Sequence, residues 1–291
     1  MAGSATSTGR AGRAGRTVGC FAVVILVVIA VGVLGLAFLR EREQLPPMQF
    51  EQRCVATADG RSVTLSREQA YLTAIIVGVS VQRQLDPQAA TIAMATAYQE
   101  SGIRNLNYGD RDSVGLFQQR PSQDWGTKEQ IMDPWYASNA FYNALVKIPN
   151  WQNGDVNDTA QAVQKSGYPN AYRQHEENAA VLGKVFTGQV PGGLSCFDER
   201  TNAGQADAFG TQLALTHGRL STRTSGKTLT ITARNPQHAW SIAGYATANA
   251  GLQGIARVET NARTWEPDGR TMPSWVSAGS SNERTVVVTF R

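Results

Sequence analysis

One carboxylate stands out by its isolation. The stretch ATAYQESGIRNLNYGD, Ala95 to Asp110, opens with a helical pattern and ends in turn residues. No charged residue occurs from Pro87 to Gln99; Glu100 then appears just ahead of Ser101 and Gly102. A helix without charges reads as buried. A Glu at its exit then sits where buried helix opens onto a cleft. Burial disfavours the ionised carboxyl and raises its pKa. Such a group stays protonated near neutral pH and can act as a general acid, as cleavage of a glycosidic bond requires. Taken alone, a Glu near a helix end is more often a solvated surface residue. Asp110 and Asp112 read as turn residues and are also the nearby candidates for a second carboxylate.

Other chemistries have little support. The three histidines, His175, His217 and His238, do not cluster with Cys or acidic residues at metal-ligand spacing. No metal and no cofactor is expected, and His175 beside Glu176 and Glu177 reads as a helix surface. SGKT (Ser225–Thr228) lacks the upstream Gly of a phosphate-binding loop, since position 221 is Ser, and a strand pattern follows it. Net charge is +4 and pI about 9.1, a mild balance that suits an anionic surface and is no signature for nucleic acid.

The elements that must position Glu100 are helical. Ser66 with Gln69 has the form of a capping box and opens a helix to about Gln84. Asp86-Pro87 starts the helix that ends at Glu100. A turn-rich stretch leads to Asp112. Asp133-Pro134 opens a third helix, one begins near Asp158-Thr159, and a fifth runs from about Pro169 to Phe186. Residues 60–190 thus read as nearly all helical. Beyond GQVPGGLSC the pattern changes. TLTITA, IARVETNA and RTVVVTF alternate like strands around an Ala-rich helix, a small α/β unit of order β-α-β-β.

The first 40 residues carry a different signal. Arg10, Arg13 and Arg16 precede an unbroken apolar run from Val18 to Leu39, long enough to span a bilayer. A cleaved signal peptide is the rival reading, but REREQ rather than a small-residue cleavage site follows. The arginines bias the N-terminus inward. The sequence therefore predicts a cytoplasmic basic tail over 1–17, a transmembrane anchor over 18–39, and an extracytoplasmic body on a single-pass membrane protein. A linker follows over 40–59. Cys54 and Cys196 bracket the helical segment. In an oxidising compartment they can pair, and closing so long a loop is worth roughly 5 kcal/mol in the chain-entropy model.

Three stretches in order, YQESG (Tyr98–Gly102), VGLFQQRPS (Val114–Ser122) and AVQKSGYPNAY (Ala162–Tyr172), resemble the motifs of lytic transglycosylases and goose-type lysozymes. The variant GDRDSVGLFQQRPSQDWGT is similar to a membrane-anchored, cell-wall-associated branch of Gram-positive bacteria. The resemblance covers 60–190. It implies a mainly α, lysozyme-like domain over 60–196, preceded by one transmembrane helix and followed, after a linker at 197–206, by the small α/β domain over 207–291. It also implies peptidoglycan glycan strands as the partner and Glu100 as the acid/base. Ser101 would support the acid, while Gly115, Leu116, Gln118 and Gln119 would line the groove. Tyr168 and Tyr172 transfer less directly, because VQKSGYP replaces the usual A-Y-N-A-G pattern. Trp125, Trp135 and Trp151 are core residues or sugar-stacking walls. The last 85 residues lack a catalytic pattern and suit wall binding, partner binding or a spacer. Three functions compete: a transglycosylase with one carboxyl, a hydrolase using Asp110 or Asp112 as well, and an inactive wall-binding scaffold.

Overall fold

Arg53–Ala58 (β1) and Arg61–Ser66 (β2) alternate buried and exposed side chains and pair as an antiparallel hairpin. Asp59 and Gly60, both at positive φ, make the two-residue turn that matches strand twist. Leu194–Phe197 (β3) pairs with the other edge of β1, which places Cys54 directly opposite Cys196, and the two form a disulfide. The computed structural model describes Gly3 and residues 53–197, 199, 202–267, 269–279 and 282–291.

Between β2 and β3 the chain is helical. Arg67–Gln82 (α1) starts on the Ser66–Gln69 capping box. Gln88–Ser101 (α2) is buried from Ile92 to Ala97. Lys128–Ile131 (α3), Pro134–Leu145 (α4), Val156–Gln164 (α5) and Glu176–Phe186 (α6) follow. Two starts differ from the sequence reading. α5 is capped by Asp155, whose carboxylate accepts from the Asp158 amide. α6 begins at Glu176, because residues before it form a short 3₁₀ turn over Arg173–His175.

The remaining elements are Ala206–His217 (α7), Ser221–Ser225 (β4), Thr228–Thr232 (β5), Pro236–Ala248 (α8), Ala250–Gln253 (α9), Ile255–Thr260 (β6), Arg263–Trp265 (β7), Val276–Ser277 (β8) and Thr285–Phe290 (β9). They build a six-stranded antiparallel sheet of order β4-β5-β9-β6-β7-β8. The expected mainly α body with a β-α-β-β appendage is therefore corrected. Strands open and close the helical segment, and the later segment holds six strands. Of the missed strands, β3 pairs over a long sequence distance, with β1, whereas β1 with β2, β4 with β5 and β7 with β6 pair through tight turns and are too short or too polar to alternate visibly.

The expected single-pass membrane protein with an extracytoplasmic body is also corrected. No helix among the described residues is long and apolar enough to cross a membrane. Residues 18–39, on which that reading rested, lie outside the described residues, as do the tail at 1–17 apart from Gly3 and residues 40–52 of the linker expected over 40–59; the rest of that linker is instead the strand β1 and the start of its turn.

α8 has no charged residue, and every residue from His238 to Ala248 is buried. It packs against α1, α6 and β3 and also against β6 and β9, so one helix serves both parts of the core. Here two histidines are enclosed. His217 at the end of α7 bonds Thr216 Oγ1 and Ser241 Oγ, each at 3.1 Å, and Ser241 donates to the Phe186 carbonyl of α6. The His238 ring stacks at 5.8 Å from it. Burial, then the neighbouring His238 and Arg234, hold His217 well below the usual histidine pKa. Burial and Arg234 push His238 down to about 4. Both rings fold in the neutral form. Unfolded histidines titrate near pH 6.5, so below that the unfolded chain binds more protons.

Stability should therefore be full above about pH 6.5 and decline as pH falls toward 4. Thermal unfolding between pH 7 and 4.5 checks this: a loss of several degrees is expected, reduced in a His238→Gln variant. The disulfide closes a separation of 142 residues. Replacing both cysteines by Ser should cost roughly 2–5 kcal/mol in denaturant unfolding of oxidised protein.

Candidate active site

Glu100 lies in the last turn of α2, half-buried. The helix ends there because Gly102 adopts a left-handed cap at φ 63°, with its amide bonded to the Tyr98 carbonyl. Ile103 follows at φ 56°, fully buried. A β-branched residue is strained in that conformation. The strain is held by the Ile103 amide on the Ala97 carbonyl at 3.0 Å and by burial of its side chain.

Two side chains from the third sequence stretch converge on Glu100. Tyr172, fully buried, donates its hydroxyl to Glu100 Oε1 at 2.7 Å. Gln164, the last residue of α5, stands beside Glu100 and donates to the Phe117 carbonyl at 2.7 Å. Burial nevertheless dominates and raises the Glu100 pKa above the ordinary carboxyl value, with Tyr172 and Gln164 opposing it. Tyr172 is itself raised, by burial first and by the charge of Glu100 second. The result is a carboxyl with one fixed oxygen and a bias toward the protonated form.

The middle stretch is arranged around the same helix end. Ser101 Oγ donates to the Leu116 carbonyl at 2.7 Å and accepts from the Arg104 amide at 3.1 Å. Ser101 is thus a tie between helix and loop, not a groove surface. Gly115 stands at φ 81°, and a Cβ there would meet the Ile131 carbonyl oxygen at 2.8 Å, so glycine is required. Leu116 is buried. Gln119 is also buried and donates to the Ala137 carbonyl of α4 at 3.2 Å. Gln118 is the partly exposed member. At φ 47° it folds its amide back onto the Tyr108 and Gly115 carbonyls. Of the expected groove residues, Gln118 and the exposed Tyr168 offer open surface; Leu116 and Gln119 are spent on the core.

The candidate second carboxylates separate clearly. Asp112 accepts from the Ser122 amide at 2.8 Å, Arg120 Nε at 2.9 Å and the Ser122 hydroxyl at 3.0 Å. That clamp, the Ser122 amide first, holds its carboxyl well below the usual range. Asp110 is exposed, beside Arg111. Neither hydrogen-bonds Glu100.

Sequence reasoning missed Gln164, although it lies inside the quoted AVQKSGYPNAY stretch, and Tyr108, an exposed aromatic in the turn-rich loop. It also missed the pairing of Tyr98 with His175, whose rings stack at 5.4 Å behind the acid. His175 and Gln174 both bond Gln99 Oε1. Trp125 is partly buried and lines a cleft of about 510 Å³ together with Gln164, Lys147 and Lys165. Trp135 is also partly buried, whereas Trp151 is buried. Among the described residues no group of His, Cys, Asp and Glu is placed to hold a metal ion.

Compared with known proteins, the chain matches no family, and no curated protein matches it.

Tyr172→Phe removes a donor that stabilises the Glu100 carboxylate. The Glu100 pKa should rise further, read by ¹³C NMR titration of the side-chain carboxyl. An unchanged titration would mean that the hydroxyl does not reach the acid in solution.

Proposed function

We propose that this chain is a peptidoglycan lytic transglycosylase that cleaves the glycosidic bond between MurNAc and GlcNAc with Glu100 as its single acid/base. One observation carries the reading: a lone carboxyl at the mouth of an uncharged helix, biased toward protonation by burial and held by Tyr172. Supporting it is the ordered resemblance of YQESG, VGLFQQRPS and AVQKSGYPNAY to that family. The single-carboxyl form is favoured because Asp112 is committed to Ser122 and Arg120.

The steps follow from the group present. Protonated Glu100 gives its proton to the bridging oxygen as the C1–O bond breaks, and the leaving sugar departs with a free hydroxyl. Glu100, now a carboxylate, takes the proton from the 6-hydroxyl of the same MurNAc as that oxygen bonds to C1. The 1,6-anhydro ring closes and the acid is regenerated, with no water consumed. Tyr172 stabilises the carboxylate state between the two transfers. The exposed rings of Tyr108 and Tyr168 suit stacking against sugar faces.

Glu100→Gln keeps the shape of the side chain and cannot deliver a proton. It should lower glycan cleavage by about 10²–10⁴-fold while leaving the circular dichroism spectrum unchanged. Mass spectrometry of fragments from purified peptidoglycan should show anhydro ends. Reducing ends would indicate a hydrolase, and wild-type rates in Glu100→Gln would remove this residue from the chemistry. Asp112→Asn should reduce the rate only modestly, through a looser loop. Because the reaction begins from protonated Glu100, the rate should fall as pH rises through the elevated Glu100 pKa, and Tyr172→Phe should move that limb upward.

A further inference from the structure

Tyr172 can hold the Glu100 carboxyl only while the turn that carries it stays against the end of α2. Tyr172 caps the 3₁₀ turn over Arg173–His175, and the His175 amide closes that turn by donating to the Tyr172 carbonyl at 3.0 Å. On one side the turn is fastened to the start of α5. The Arg173 guanidinium bonds Asp155 at 3.1 and 3.2 Å, and the Arg173 amide donates to Asn157 Oδ1 at 3.2 Å. Those bonds do not involve α2.

The fastening to α2 centres on His175. Its ring stacks on Tyr98, with centroids 5.4 Å apart and planes 7° from parallel. Its Nε2 lies 3.2 Å from Gln99 Oε1. A carbonyl oxygen only accepts, so the ring carries a proton on Nε2 and donates it. Gln174 Nε2 donates to the same oxygen at 3.1 Å. Burial lowers the His175 pKa, so near neutral pH the ring makes this bond uncharged. Tyr98, Gln99 and Glu100 are consecutive, and successive helix residues point about 100° apart. The turn therefore meets α2 in three neighbouring directions, through a ring stack, a hydrogen-bonded amide and the Tyr172 hydroxyl on Glu100 Oε1. His175 takes part in the first two.

We propose that His175 is a positioning residue for the acid: by holding the 3₁₀ turn on Tyr98 and Gln99, it keeps the Tyr172 hydroxyl on Glu100 Oε1. The action is indirect. His175 touches the two residues that precede Glu100, and Tyr172 carries the effect to the carboxyl. Its importance to catalysis rests on Glu100 being the acid/base; its hold on Tyr172 does not.

The test is ¹³C NMR titration of the Glu100 carboxyl in the full chain, for the wild type, His175→Ala, His175→Gln, Tyr172→Phe and the double variant of His175→Ala with Tyr172→Phe. His175→Ala should raise the Glu100 midpoint, in the same direction as Tyr172→Phe and by no more than that variant does. In the Tyr172→Phe background it should add little, because the hydroxyl that it positions is gone. His175→Gln offers an uncharged amide N–H near the place of Nε2 and should bring the midpoint back toward the wild type, which separates the hydrogen bond from any charge on the ring. General loss of stability would not produce this pattern. Gln99→Met removes the acceptor from the other side; it should raise the midpoint as His175→Ala does, and decides the matter if His175→Ala does not fold. With purified peptidoglycan, the falling limb of rate against pH should move upward in His175→Ala together with the carboxyl. A Glu100 midpoint unchanged in His175→Ala or in Gln99→Met, or an equal rise with and without the Tyr172 hydroxyl, overturns the proposal. The expected midpoints in a protein that leaves peptidoglycan uncut would support the positioning and remove the proposed activity.

Discussion

Burial of the middle of one helix is the constraint on which the rest depends. α2 is enclosed by α1, α5 and α6, and from Ile92 to Ala97 nothing of it reaches solvent. A charge anywhere along that stretch would be desolvated without a partner, at a cost larger than a small protein can absorb. The first charge must therefore wait for the exit, and Glu100 occupies it. The same enclosure that forbids charge earlier raises the pKa of the carboxyl at the boundary. Fold and proposed chemistry are two readings of one burial gradient.

That boundary has to be held in place by something other than apolar packing, because the helix ends there. Hydrogen bonds supply it. Ser101 joins the last turn to the Leu116 carbonyl, Gln164 beside Glu100 donates to the Phe117 carbonyl, and Gln69 of α1 donates to the Gly102 carbonyl at 2.9 Å. Three distant stretches are drawn to one point by their polar groups. Phe117 stacks on Phe141 at 4.6 Å and seats the loop on α4. Most polar residues of the motifs thus serve to position the acid, and the surface left for a substrate is contributed by fewer side chains than the motifs contain. Asp112 is the sharpest example, since its carboxylate is a loop fastener with three donors and not a spare catalytic group.

Where local chemistry dictates local structure, the sequence was legible. Ser66–Gln69 and Asp133-Pro134 are satisfied within one turn of the chain, and both cap helices as their residue types imply. The isolation of Glu100 was readable for the same reason, because charge spacing reports burial directly. β1 and β2 were not recognised, although Asp59-Gly60 is a hairpin turn signal, because the flanking RCVATA and RSVTLS are polar enough to pass for a linker. β4, STRTS, is exposed along its whole length and carries no periodic signature at all. Its strand character comes from pairing with β5, which is a tertiary fact. The placement of Tyr172 against Glu100, 72 residues apart, likewise follows from how α6 lies along α2 and from no feature of either segment alone.

α8 extends this reasoning to the later segment. Its sequence from Pro236 to Gly254 is as free of charge as α2 up to Gln99, and it is buried for the same reason. One part of its surface meets β6 and β9, and another meets α1 and α6. α6 in turn packs along α2, so α6 links the later segment to the helix that carries Glu100. Polar groups along this seam are few and mostly paired: His217 with Ser241 and Thr216, and Gln237 with the Thr187 carbonyl at 3.3 Å. A helix shared in this way cannot be withdrawn without exposing apolar faces of α1 and α6. The six-stranded sheet is accordingly fixed to the helical segment through α8.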